Sequence, residues 1–186
     1  MNEAATERVA ALFARHGDAV HAYAQARVGS ALAADIVSDT FVVAWRRRED
    51  VPEPALPWLL ATARRVMSTH LRSQRRQRSL VLRMESLSER QPQLAPEAGL
   101  DHHLLHALDQ LTERDKEALL LVAWFDLTRA EAAKVQGCSS GTFAVRVHRA
   151  RRRLRELLDH RGERSRLAVV RPDPQETDSA TGKDVR

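Results

Sequence analysis

Cysteine is almost missing from this chain. Of 186 residues only Cys138 is one, so no internal disulfide can form and a thiolate zinc site has no second cysteine. Aromatic residues make up 4%, and glycine and proline number seven each, mostly outside the stretches of apolar periodicity. A sheet protein draws heavily on aromatic and β-branched residues, whereas abundant Ala, Leu and Arg favour helices. Long hydrophobic runs are lacking too. The longest, Ala118 to Phe125, is far shorter than the roughly 20 residues that span a bilayer. The first residues are mixed in charge and have no signal-peptide core, which gives the expectation of a soluble, cytoplasmic chain with no membrane insertion.

What is present is positive charge, mostly arginine. The formal net charge is +5 and the pI about 10.3, which suits a polyanionic partner. Of the 30 basic residues 27 are arginine, the type whose forked donors fit phosphate and guanine. The charge is concentrated: Arg64 to Arg78 holds six arginines and no acid, and Ser139 to Leu158 holds six against Glu156 alone.

Helical periodicity over 8–77 and 104–158, and its absence between, predicts an all-α fold. Two small helical domains (1–77 and 104–158) are joined by a flexible linker at 78–103, and the second is a helix-turn-helix domain. A polar tail, 159–186, carries six acidic and six basic residues and reads as disordered beyond a short extension of the last helix. The linker's span, fully stretched, is about 85–95 Å. Two turns of DNA measure about 70 Å, so one chain can touch two sites on one duplex.

Residues 128–153 carry the sharpest local pattern. Thr128 with Glu131 three residues on makes a capping box; Gly137 supplies the positive φ that ends a helix; Ser139 can cap the next. Ala133, Cys138, Phe143 and Val147 are small or apolar where two crossing helices must touch. This is the spacing of a DNA-binding helix-turn-helix. Arg146 and Arg149, three apart, can share a face toward the groove, while Arg151 to Arg153 fan around the helix and suit phosphates.

In the amino-terminal domain the spacing predicts helices over Glu7 to Val28 and Ala31 to Arg48. Leu32, Ile36, Phe41, Ala44 and Trp45 are expected to face the core. Asp35 and Asp39 lie on another face with Ser38 and Val42, either a solvated acidic edge or a docking face for a basic partner. A loop with three prolines, Pro52, Pro54 and Pro57, leads into a third helix. Leu59, Ala63, Val66, Met67 and Leu71 form its expected buried stripe. Arg65, Arg72, Arg75 and Arg76 lie off that stripe, where they can meet phosphates. Trp58 is a core residue or a base-stacking platform.

The run Ala34-Asp-Ile-Val-Ser-Asp-Thr-Phe-Val-Val-Ala-Trp-Arg46, followed by Pro57-Trp-Leu-Leu-Ala-Thr-Ala-Arg64, resembles region 2 of extracytoplasmic-function sigma factors. Leu108-Asp-Gln-Leu-Thr-Glu-Arg-Asp-Lys-Glu-Ala-Leu-Leu-Leu121, with the helix-turn-helix after it, resembles region 4 of the same family. The order and pairing of the motifs carry the resemblance, which covers roughly two thirds of the chain. It implies a promoter-specificity subunit that binds core RNA polymerase, recognises −10 and −35 elements of promoter DNA, promotes its opening, and is restrained by an anti-sigma factor. On this resemblance Asp35, Asp39, Phe41 and Trp45 match the polymerase-docking helix. Trp58 and Arg64 match the segment capturing a flipped −10 base, with Arg65, Arg72, Arg75 and Arg76 beside it. Ser139, Ser140, Thr142, Arg146 and Arg149 match the −35 recognition helix. Ser38 and Asp39 stand where the family commonly has Gln and Glu, Arg65 where it has Asn, and Ala144 where it has Lys.

A stand-alone helix-turn-helix regulator is the alternative; it has no use for the Asp35/Asp39 helix, the proline loop or the first arginine cluster. An enzyme is the other class. His102, His103 and His106 lead into a helix without a ligand motif, and Asp35 with Asp39 lacks a partner helix to complete a metal site. No catalytic residue, metal or cofactor is expected.

Overall fold

Gly29 divides the first two helices of the protein. Its φ of 80° is a backbone setting that side-chain-bearing residues rarely adopt, and its N–H closes α1 on Gln25 O at 2.9 Å. The computed structural model describes the backbone of residues 3–81 and 102–169 and the side chains of residues 6–74 and 103–159. Its helices are α1 (Glu3–Val28), α2 (Ser30–Arg46), α3 (Leu56–Val81), α4 (His102–Asp109), α5 (Glu113–Ala123), α6 (Arg129–Gln136) and α7 (Ser140–Val169), with a 3-10 turn at Arg48–Asp50. No strand occurs among the described residues. The all-α expectation holds.

Helices α1, α2 and α3 form one lobe and α4 to α7 the other. In the first, Val20, Tyr23, Ala24, Ile36, Phe41, Ala44, Leu59, Leu60, Ala63 and Met67 interlock with Val51 and Ala55 from the loop. In the second, Ala118, Leu121, Ala132, Ala133, Val135, Phe143 and Val147 do the same. Thr40, fully buried, satisfies its hydroxyl on Ile36 O at 2.6 Å, so the polar atom in the α2 stripe is not left unpaired.

The two lobes touch. Helix α3 packs on α6, and Tyr23 of α1 meets Phe125 of the α5–α6 turn edge-on, ring centroids 6.0 Å apart. Two helical lobes are present as expected, and their buried side chains belong to one continuous apolar cluster.

Two expected core residues lie outside it. Trp45 is 42% exposed, because the buried positions of α2 run from Ile36 to Phe41 around the axis and Trp45 falls about 40° past Phe41. Leu71 is exposed because no residue of α3 from Ser68 to Gln74 is buried, the helix having outrun its packing partners. Arg48 passes into the 3-10 turn instead of ending α2. The linker expectation falls mostly outside the described residues, but its ends are helical: residues 78–81 belong to α3, and His102 and His103 open α4. Of the tail, α7 takes residues up to Val169; the rest lies outside the described residues.

Candidate nucleic-acid interface

The helix-turn-helix is built from its caps. Thr128 Oγ1 accepts from Glu131 N at 3.3 Å while Glu131 Oε2 accepts from Thr128 N at 2.9 Å, satisfying two donors at the start of α6. The Thr128 hydroxyl, which donates to Glu131 Oε2 at 2.6 Å, and then the Thr128 amide hold the Glu131 carboxyl below its ordinary pKa. Gly137, at φ 67°, closes α6: its N–H reaches Lys134 O at 3.2 Å and the Cys138 N–H reaches Ala133 O at 3.0 Å. Ser139 Oγ then accepts from Thr142 N at 3.1 Å and starts α7. Phe143, wholly buried, and Val147 pin α7 against α5 and α6.

This leaves Ser139, Ser140, Thr142 and Arg149 exposed along the first turns of α7. Arg151, Arg152 and Arg153 are exposed too, the last two within 3.5 and 3.6 Å of Glu156. Arg146 is placed otherwise. It is half-buried and turned back into its own lobe, its Nη1 donating to Gln136 Oε1 and lying 3.6 Å from Cys138 Sγ.

The second basic element is α3. Arg64, Arg65, Ser68, Thr69, Leu71 and Arg72 line an open groove of about 650 Å³. Arg65 and Arg72 are exposed, and Arg72 Nε is oriented by Ser68 O at 3.0 Å. Arg75 and Arg76 follow on the same helix, beyond the residues whose side chains are described. Trp58 is half-buried against the first lobe's core. Arg64 points into the junction between the lobes.

At that junction lies Glu117 of α5, a carboxylate with no exposed surface. Tyr23 OH and Arg64 Nε (3.0 Å) donate to its Oε1, and Gln136 Nε2 (3.1 Å) donates to Oε2. Arg27 Nη2 stands 4.0 Å from Oε2, and its Nη1 binds Glu113 Oε2 at 3.0 Å. Burial, and then the negative charge of Glu117, hold the Tyr23 phenol well above its usual range, so it stays a donor. Gln136 also donates to Arg114 O at 2.9 Å and accepts from Arg146, so one chain of contacts runs Arg64–Glu117–Gln136–Arg146. Sequence reasoning missed Glu117, Tyr23, Arg27 and Gln136. The available signal was a charged residue, Glu117, on the stripe otherwise occupied by Ala118 and Leu121.

On α2, Asp35 and Asp39 are exposed, and Asp39 Oδ2 pairs with His70 Nε2 of α3 at 2.7 Å. Phe41 is buried and meets Phe13 edge-on at 5.0 Å. Trp45, Val42 and Phe13 are the large apolar side chains left open on α1 and α2. Acids and apolar groups together suit a protein partner better than DNA. Among the described residues no three His, Cys, Asp or Glu side chains gather as metal ligands, and His106 Nδ1 is paired with Gln110 Nε2 at 3.0 Å. No helix there is long and apolar enough to cross a membrane.

Residues 12–77 match the family model Sigma-70 region 2, and residues 102–154 match Sigma-70, region 4. The chain is 33% identical to RNA polymerase sigma factor CarQ of Myxococcus xanthus over 153 residues, covering 79% of this chain and 87% of the relative. It is 32% identical to ECF RNA polymerase sigma factor SigL of Mycobacterium tuberculosis over 160 residues, covering 82% and 89%. Among solved structures, the sigma factor RpoE in complex with the anti-sigma factor NepR from Bartonella quintana is similar at 25% identity and TM-score 0.63, covering 86% of this chain and 98% of that one.

Proposed function

This chain belongs to the sigma-70 family, among the extracytoplasmic-function RNA polymerase sigma factors, and from that premise we propose how its surfaces divide the work of promoter recognition. The α2 face with Asp35, Asp39 and Trp45 docks on core RNA polymerase, Phe41 holding that face from beneath. The α3 groove binds the −10 element as single strand, with Trp58 beside the extruded base and Arg64, Arg65, Arg72, Arg75 and Arg76 along its backbone. Holding single strand better than duplex is what opens the DNA: extracting a base costs a few kcal/mol, which stacking and arginine contacts offset. The start of α7 reads the −35 element through Ser139, Ser140, Thr142, Arg146 and Arg149. The protein acts in the cytoplasm, performs no covalent chemistry, and is held in check by an anti-sigma protein, as the Bartonella relative is bound by NepR.

The observation that carries this reading is the pairing of two separate arginine surfaces, on α3 and α7, with an acidic and apolar face on α2. A helix-turn-helix regulator needs only the second of these. Runoff transcription with core polymerase on a randomised promoter library tests it. Transcripts that require this protein and share two spaced elements are expected; core polymerase that never initiates with it ends the reading. Arg146→Ala should lower the transcript level in that assay and weaken a separately measured −35 footprint, a bidentate guanine contact being worth about 1–3 kcal/mol.

A further inference from the structure

We propose that Val145 is a further base-reading residue, its isopropyl group packing on the C5-methyl of a thymine in the major groove of the −35 element. The proposal rests on the reading of α7 as the helix that enters that groove. It adds an apolar contact to the polar ones already assigned there.

Val145 is 58% exposed, on a stretch of α7 whose other open positions are polar or glycine: Ser140, Gly141, Thr142, His148 and Arg149. It lies outside the apolar core, and a β-branched side chain forms helix less readily than the Ala, Leu and Arg that dominate α7. Neither packing nor helix preference accounts for it.

Single exposed apolar side chains are ordinary on a protein surface, so its direction decides. At about 100° per residue, Val145 stands about 160° round the axis from both Phe143 and Val147, which fix the buried face. It therefore points more squarely away from the lobe than Arg146, which sits about 60° from Phe143 and is held by Gln136. Thr142 and Arg149 stand within about 60° of Val145, one turn before it and one turn after.

The approach to Val145 is open. Helical side chains lean toward the N-terminus, which carries the isopropyl group over Gly141 one turn back. At Gly141 an added Cβ would meet no atom nearer than Ser139 Oγ at 4.0 Å, so a base-pair edge can come close there. The arginines decide what arrives. Arg149, Arg152 and Arg153 are exposed beside and beyond Val145 and favour phosphate, so the surface brought to it is a groove floor and not an apolar protein face. On that floor the base edges present donors and acceptors, and the C5-methyl of thymine is the apolar group.

The test measures binding of a promoter duplex by the full-length protein with core polymerase, on a template selected from the runoff library. Each thymine of its −35 element is replaced singly by deoxyuridine, which removes the methyl and keeps every donor and acceptor. At one position the wild type should bind about fourfold more weakly, the factor that one methyl-sized group is worth when it leaves water. Val145→Ala should bind the thymine duplex about fourfold more weakly and be indifferent to uracil at that position, and Val145→Ile should restore the preference. Alanine at an exposed helix position preserves the fold. The thymine-to-uracil ratio is read within each variant, so a general loss of affinity cancels. Equal binding of thymine and uracil at every position overturns the proposal, as does a preference that Val145→Ala retains, or an element with no thymine on either strand. Failure of the recognition-helix reading shows itself separately: Arg149→Ala then leaves the −35 footprint on unmodified DNA unchanged, before any uracil is introduced, and the ground for both is gone.

Discussion

Removing one hydroxyl at Thr128 should loosen the entire DNA-reading element. Helix α6 has eight residues, Arg129–Gln136, too few to persist on its own sequence preference. It survives by packing and by its ends. Thr128 accepts from Glu131 N, and Glu131 returns a bond to Thr128 N, so Thr128→Ala leaves the Glu131 amide without its side-chain acceptor and breaks the reciprocal arrangement. Loss of such an N-cap costs about 1 kcal/mol, within a range of about 0.5–2. Because both lobes share one core, the melting unit includes both, and that lowers the melting temperature by roughly 2–4 °C per kcal/mol. The pH dependence has a definite sign. Glu131 has its pKa lowered in the folded state, first by the Thr128 hydroxyl and then by the Thr128 amide. Its contribution is therefore fully present above the ordinary carboxylate range and is lost as the pH falls through the lowered folded value. Glu131→Gln keeps an acceptor for the Thr128 amide but carries no titrating group, so that variant should lose this part of the acid sensitivity. Thermal melts by far-UV circular dichroism, at neutral pH and at pH values descending below about 4, provide the measurement. A Thr128→Ala melt within about 1 °C of wild type, or identical acid profiles for wild type and Glu131→Gln, would refute the reasoning.

Three further outcomes are expected. Gly137→Ala should cost about 1–2 kcal/mol by denaturant titration, wholly from the left-handed backbone, since an added Cβ meets nothing within 4 Å; no loss would mean that φ is not 67° in solution. Phe143→Ala empties the space under α7 and should cost about 3–5 kcal/mol, with Phe143→Leu well below that; equal losses would show that the ring is not packed. Arg149→Ala should weaken −35 DNA binding, and the slope of log K against log salt tells which contact it makes. A decrease of about one marks a phosphate contact, an unchanged slope with altered sequence preference a base contact, and no change in either removes Arg149 from the interface.

Local chemistry was legible in the sequence wherever one residue type has one use. Gly137 ends α6, the Thr128/Glu131 pair opens it and Ser139 caps α7, each where a short-range rule required. The periodic cores followed for the same reason: Ile36, Phe41 and Ala44, like Leu59, Ala63 and Met67, sit on the faces that their spacing gives them. Errors arose at the margins of those faces. Trp45 and Leu71 fit a helical stripe by count, yet burial also depends on where the neighbouring helix ends, which no periodicity records. Least legible was the meeting of the lobes. Tyr23 and Glu117 are 94 residues apart, and a tyrosine in α1 and a glutamate in α5 each have an unremarkable local reading. The same distance concealed what Arg64 and Arg146 do here, since arginine at both places is equally suited to a phosphate, a base or a buried acid.

Gln136 gives the amide that joins Glu117 to Arg146, and it belongs to α6, not to the helix that meets the bases. Grafting another α7 onto this scaffold to retarget it would therefore alter two properties at once. The transplant would bring a new reading head and, lacking an arginine at position 146, would leave the Gln136 carbonyl without its cation. Retargeted hybrids should be compared on folding stability as well as on the operator they select.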